Sequence, residues 1–394
     1  ELSTPMRLFA TPPEAHSTRP VAPHRETVAQ RLARAATPAD NRIRSLLESW
    51  FVRLPQPART YIRSRFWERD RRLALAAFWE LYLHELFRRH GCQLMLHPAT
   101  GQGGPRPDFL VMRTDEAFYV EALVHAPSTE AWRAERKLYP ILDVLHELQH
   151  PTLAVRLAQA EVGNETPPLR ELRDTLRSWL VTLTAPTPTP QRFIWQRGGW
   201  TLTFEAFAAG EEDARPVLPS PQTDEPADER RLSRAIAAKV QAKTRRLRSL
   251  EHPLVLALST AQPGEFRSLA NVLSEIMPRL PPPVSAVLVA SGLTPWTISR
   301  APILLYSSPE RQHLVPDGLL AILEQAGAKS HATGLWVLET PWRLFGLPPD
   351  WPDGEPTSCV PDGQEPVPNL TSLERSGLTR ARRGSSAGSD RSHR

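Results

Sequence analysis

Apolar residues keep helical spacing most clearly in "DRRLALAAFWELYLHELFRRHG", residues 70–91. Phe78, Leu81, Tyr82, Leu86 and Phe87 share one face, and Gly91 is a suitable stop, so the pattern predicts a helix over about 70–90. Two shorter helices are predicted before it, at 44–53 and 58–68, split by "LPQP". After Gly91 the pattern changes to strands: "QLMLH" (93–97), "PDFLVMR" (107–113) and "AFYVEALVH" (117–125). A helix over 129–149, a strand within "TLAVRLAQAEV" and a helix over 168–182 follow. "RFIWQRGGWTLTFEAF" reads as a hairpin turning at Gly198-Gly199, and "PVLPSPQTDEPAD" as a loop. A long basic helix is predicted over 228–250. "PLVLALS" (253–259) and "SAVLVAS" (285–291) are continuous apolar runs, as in strands buried on both faces, with a helix over 264–276 between them. The pattern therefore predicts one α/β domain over 44–348 with an inserted hairpin. Residues 1–43 and 349–394 lack periodicity and are expected to be disordered tails.

Composition narrows the class of protein. With 40% apolar and 23% charged residues among 394, a sizeable core can form. Two distant cysteines, Cys92 and Cys359, exclude a disulfide framework and a cysteine-based zinc site, which suits a cytoplasmic protein. No apolar run approaches the roughly 18 residues a membrane span needs. The chain shows no signal-peptide pattern, and it opens on Glu1, so its natural start is expected to be missing or to be Met6. A formal charge of +5 gives a mild bias toward polyanionic partners. Of 48 basic residues only Lys137, Lys239, Lys243 and Lys329 are lysines. Lysine can lose its proton near neutral pH when its surroundings lower its pKa, and arginine cannot, so each lysine is a candidate for chemistry.

The strand pair 107–125 carries one acid on each arm. Pairing Met112 with Ala117 across "RTDE" places Asp108 opposite Glu121. Directly opposed residues share a sheet face with Cβ atoms roughly 4.5–5.5 Å apart. Two carboxylates that close, on otherwise apolar strands, repel each other and need a cation between them. Mg²⁺ suits, because it takes hard oxygen ligands and is commonly held by one or two carboxylates plus water and phosphate. The competing reading is a pair of solvated strand-end acids, or acids neutralised by the nearby Arg106.

Pro107-Asp108, then Glu121 after a short hairpin, all preceded by the helix "ELYLHELFRRHG", resemble the PD-(D/E)xK nuclease superfamily. The likeness covers about residues 70–126, with weaker support from 228–259. It implies an α/β fold with a restriction endonuclease-like core, a mixed central sheet flanked by helices. It also implies Mg²⁺ or Mn²⁺ at Asp108 and Glu121 and hydrolysis of DNA phosphodiester bonds; a homodimer is a further expectation. An acid on the first helix often assists in this superfamily. Glu80 and Glu85 are the candidates, with Glu80 preferred. The departure is Leu123, where the family pattern has the lysine that orients the attacking water and offsets developing charge. Some members supply that lysine from a neighbouring helix. Lys239 and Lys243, four apart on the basic helix, would project from one face, and Lys243, nearer the following strand, is preferred. Without such a lysine the expectation becomes an inactive nuclease-fold protein that binds nucleic acid or acts as a scaffold.

"HELQH" (146–150) matches the H-E-x-x-H pattern of zinc hydrolases, with Glu171 a possible third ligand. Pro151, directly after it, biases His150 out of the helix, so a surface helix end is the stronger expectation. Trp296, Trp336, Trp342 and Trp351 are expected to pack rather than stack on bases. "GQGG" (101–104) reads as a flexible loop beside the acidic hairpin that could let backbone approach DNA. "TRARRGSS" near the C-terminus could add phosphate affinity.

Overall fold

The computed structural model describes residues 6–9, 26–34, 37–100, 106–125, 129–148, 150–183, 190–208, 234, 237–238, 250–260, 266–280, 282–307, 314–332 and 334–352. The first four helices are α1 (Val28–Arg34), α2 (Pro38–Phe51), α3 (Gln56–Phe66) and α4 (Arg71–Arg89). They precede β1 (Gln93–Leu96), β2 (Phe109–Arg113) and β3 (Glu116–His125). Next come α5 (Thr129–Glu147), β4 (Leu153–Glu161), α6 (Leu169–Thr182), β5 (Gln191–Arg197) and β6 (Trp200–Ala208). The remainder is β7 (Leu254–Thr260), α7 (Phe266–Ile276), β8 (Val284–Ser291), β9 (Ile303–Tyr306), α8 (Asp317–Gln325), β10 (Lys329–Ala332), β11 (Leu335–Leu338) and α9 (Trp342–Phe345). The local causes are ordinary. The Asp70 side chain accepts from the Arg72 N–H to start α4, Thr37 caps α2 ahead of Pro38, and Gly91, at φ 78°, turns the chain out of α4.

Eight strands form one mixed sheet in the order β1-β2-β3-β7-β8-β9-β11-β10. The central trio β3, β7 and β8 is parallel, and the flanking pairs are antiparallel. Every residue of β7 and β8 is buried, which is why both read as unbroken apolar runs. One face of the sheet, with Phe109, Val111, Phe118, Val120, Val255 and Ala257, packs under α4 and the other N-terminal helices. The opposite face, with Tyr119, Leu123, Leu256 and Leu258, packs against Leu269, Val272 and Leu273 of α7. Between β3 and β7, β4, β6 and β5 form a second, antiparallel sheet with its own core against α5 and α6. The β5–β6 hairpin turns at Gly198 and Gly199, at φ 54° and 75°, the left-handed conformations that a two-residue turn requires.

Two expectations need correction. The N-terminal stretch is not an unstructured tail throughout. It holds α1 and the start of α2, and Leu8 and Phe9 are buried with their N–H groups donating to the Glu48 carboxylate at 3.0 Å. Order also extends past 348 to Trp351, which is 5% exposed. The expected C-terminal tail otherwise lies outside the described residues. The expected packing roles of Trp296, Trp336 and Trp351 hold: the first two lie against the larger core and the third is buried.

The tip of the β2–β3 hairpin is fixed to the start of α8. Pro316, which precedes α8, offers no side-chain cap. The Glu116 carboxylate supplies one, accepting from the N–H groups of Asp317 at 2.9 Å and Gly318 at 2.7 Å, while Arg113 donates to the Gly318 carbonyl. Replacing Glu116 with alanine is expected to cost about 1–2 kcal/mol of stability, the usual loss for a helix cap. Urea denaturation would measure it.

Candidate functional site

The acidic hairpin has the register its sequence predicts. Met112 pairs with Ala117 and Phe109 with Val120, so continuing the ladder by one residue sets Asp108 beside Glu121. The next rung would set Pro107 beside Ala122. β2 begins only at Phe109, and just past the Phe109–Val120 rung Asp108 Oδ2 accepts the Ala122 N–H at 2.7 Å. Its backbone carbonyl takes the His97 N–H at 3.0 Å, which ties the end of β1 to the same point. The other carboxylate oxygen of Asp108 takes no hydrogen bond among the described residues.

Glu121 lies deep in the sheet, 5% exposed. Tyr119 and Leu123, which alternate with it, belong to the core facing α7, so Glu121 shares that face. Leu110 packs on the same core, and alternation assigns Asp108 to that side as well. A carboxylate buried to this degree needs a cation or hydrogen bonds to compensate its lost hydration. Leu123, at the position where the family pattern has lysine, is 5% exposed among apolar neighbours and contributes only packing. Lys239 and Lys243 lie outside the described residues. Ala237, two residues before Lys239, is helical and packs on the Glu121 face, as does Leu250.

The helix acids divide clearly. Glu85 is fully buried and engaged by Arg53 at 2.8 Å and by Arg88 at 2.8 Å, so it serves the helix packing. Glu80 sits one residue after Trp79, whose indole N–H donates to the Ala257 carbonyl at 2.9 Å. Ala257 pairs with Ala122, the residue that Asp108 holds. This turn of α4 therefore crosses the sheet at the level of Asp108, on the face opposite Glu121. Glu80 is 8% exposed and faces Arg65 at 3.5 Å. Among the described residues no three His, Cys, Asp or Glu side chains gather as a metal-binding set, so Glu80 does not join Asp108 and Glu121 in a common cluster. Two hard carboxylates remain, a donor set that fits Mg²⁺ or Mn²⁺ completed by water and phosphate.

One turn beyond Glu80, His84 is 5% exposed and its Nδ1 has no hydrogen-bond partner among the described residues. Burial pushes its pKa down to about 4, with Glu85 opposing and Arg88 reinforcing the shift. In acid the unfolded chain gains this proton before the native one does. Stability is therefore expected to decline as pH falls from about 6.5 toward 4, by up to about 3 kcal/mol from this group. Denaturation midpoints across that range, compared with His84→Gln, would isolate its share.

The H-E-x-x-H segment does not form a helical ligand pair. The helix α5 ends at Glu147, before His150, as Pro151 leads one to expect. The carboxylate of Glu147 is paired with Arg173 at 2.6 Å, and Glu171 is paired with Arg197 at 3.0 Å. "GQGG" and "TRARRGSS" lie outside the described residues. A group that the sequence does not announce is linked to Asp108 through the His97 backbone: Tyr61, Arg65 and His97. Only the doublet "RSR" in α3 hints at it, and nothing in the sequence signals that His97 adopts a left-handed backbone at φ 48°. Among the described residues, no helix is long and apolar enough to cross a membrane. The sequence matches no protein-family model and no curated protein.

Proposed function

We propose that the chain is a divalent-metal-dependent nuclease-like protein that hydrolyses DNA phosphodiester bonds, with Asp108 and Glu121 as metal ligands. The observation that carries this reading is the hairpin register, which sets Asp108 beside a buried glutamate where β2 ends. The element order supports it: a helix, three strands ending in the acidic hairpin, then a helical segment through Ala237 and a strand parallel to the third. With α5 to β6 taken as an insertion, that order agrees with the restriction endonuclease-like core the resemblance implies. When bound, a divalent cation there would acidify a ligated water and offset charge on the phosphate. Asp108 and Glu121 would orient that ion, and the Ala122 N–H would hold the Asp108 carboxylate still. Leu123 cannot activate water, so the reading assigns that task to Lys243 or Lys239.

A second reading, a nuclease-fold protein that binds nucleic acid or acts as a scaffold without cleaving, rests on one specific observation. Asp108 already has a structural task at the end of β2, and the position expected for lysine is apolar and buried. Titration calorimetry with Mg²⁺ and Mn²⁺, paired with plasmid cleavage, separates the two. Binding heat that disappears in Glu121→Gln, together with metal-dependent nicking, supports the nuclease. DNA binding with neither supports the second reading.

A further inference from the structure

We propose that Arg65 and His97 grip the phosphate backbone of a DNA strand beside Asp108, and that Glu80 positions Arg65 for this; the inference deepens the nucleic-acid reading above and rests on it. The guanidinium of Arg65 lies over the Tyr61 ring, 4.9 Å from its centroid, and touches the Tyr61 hydroxyl. The same Nη1 that meets the hydroxyl faces the Glu80 carboxylate at 3.5 Å. Lying over the ring and paired through Nη1, this arginine is restrained, with 28% of its side chain still open to solvent. A guanidinium held this way loses little entropy on engaging a phosphate, and its forked N–H donors match two phosphate oxygens. The Tyr61 ring meets the His97 ring edge-on, with centroids 5.7 Å apart. His97 is exposed, and its own N–H donates to the Asp108 carbonyl. A chain of direct contacts therefore runs from Arg65 through Tyr61 and His97 to the acid that the nuclease reading places at the metal.

Charge favours the same occupant. Residues 63–72 hold five arginines against Glu68 and Asp70, and Asp70 is committed to Arg72 at 2.8 Å. Arg63 and Arg69 are exposed on the same stretch. A cationic strip on the α4 side of the sheet, linked through Tyr61 and His97 to the backbone at Asp108, suits a phosphodiester chain whose flanking phosphates are gripped as it passes that sheet end. This also gives the buried Glu80 a task other than metal ligation, consistent with the lack of a three-carboxylate cluster among the described residues.

The test is fluorescence anisotropy of a short labelled DNA duplex and of its single strand, with Ca²⁺ in place of Mg²⁺ to suppress cleavage. Arg65→Ala is expected to weaken binding about 5- to 10-fold for all sequences and to lower the log–log salt slope by about 1, the signature of one lost phosphate contact. Arg65→Lys should keep the slope and recover part of the affinity. His97→Asn, chosen because asparagine tolerates the left-handed backbone, should weaken binding less. Glu80→Gln should weaken DNA binding while leaving the heat of Mg²⁺ binding unchanged. Arg177→Ala, an exposed arginine on α6, is the charge-matched control and should change nothing. Arg65→Ala binding with wild-type affinity and slope overturns the inference, and if the wild type still cleaves, the nuclease reading stands. Weakened binding with no cleavage by any form upholds the contact and overturns catalysis. No DNA binding by the wild type overturns both.

Discussion

Asp108→Asn is expected to fold like the wild type and lose metal-dependent cleavage, whereas Asp108→Ala should lose cleavage and stability together. The difference follows from the two tasks of one carboxylate. Oδ2 accepts the Ala122 N–H just past the Phe109–Val120 rung that ends the ladder. Asparagine keeps an oxygen acceptor for that N–H and removes the negative charge. Alanine leaves the N–H with no acceptor on a half-buried strand, which costs about 1–3 kcal/mol. Even outer partners of metal ligands are worth about 10- to 100-fold in activity or metal affinity, so losing a ligand should lower cleavage by at least about 100-fold. Thermal melts and plasmid nicking in Mg²⁺ on both variants read the two effects apart. Wild-type nicking by Asp108→Asn would reduce Asp108 to a strand-end cap and remove it from any metal site.

The hairpin could be read from sequence because its register is overdetermined. A tight turn at Thr114-Asp115 joins two arms whose apolar residues fit only one pairing with Phe109, Val111, Phe118 and Val120 inward. β7 and β8 were legible for a related reason: central parallel strands bury both faces and so carry continuous apolar runs, with serine and threonine only near their ends. The other half of the sheet was not legible. β9, β10 and β11 are four residues each, too short for periodicity to declare itself, and they gain order only by pairing with strands already in place. The N-terminal elements were missed because α1 is seven residues long and Leu8 and Phe9 are held by a distant carboxylate, Glu48. The site shows the same division. Its acids follow from strand alternation, which is local. The capping bond of Asp108, the commitment of Glu85 to two arginines and the Arg65–Tyr61–His97 contacts depend on elements brought together by the fold.

Lys243→Ala is expected to lower Mg²⁺-dependent cleavage by about 100-fold or more, the usual value of a group that transfers or orients a proton in the rate-limiting step. Mg²⁺ binding should be unaffected, since a lysine is no ligand. Lys239→Ala should have a smaller effect, and the double variant should match Lys243→Ala if a single amine acts. The reasoning starts from Leu123. It is 5% exposed in an apolar core, so that position offers no cation, and Leu123→Lys would bury an ammonium at a cost of several kcal/mol rather than restore a site. Under the nuclease reading, the catalytic amine must then come from another element on the same face. The segment carrying Ala237 packs there, and it bears half of the chain's four lysines. Arginine could offset charge at the same place but could not surrender a proton near neutral pH, so the scarcity of lysine elsewhere makes these two the pair to test. A double variant that nicks plasmid at the wild-type rate would show that no migrated lysine acts, and the proton would then have to move through water or the phosphate itself.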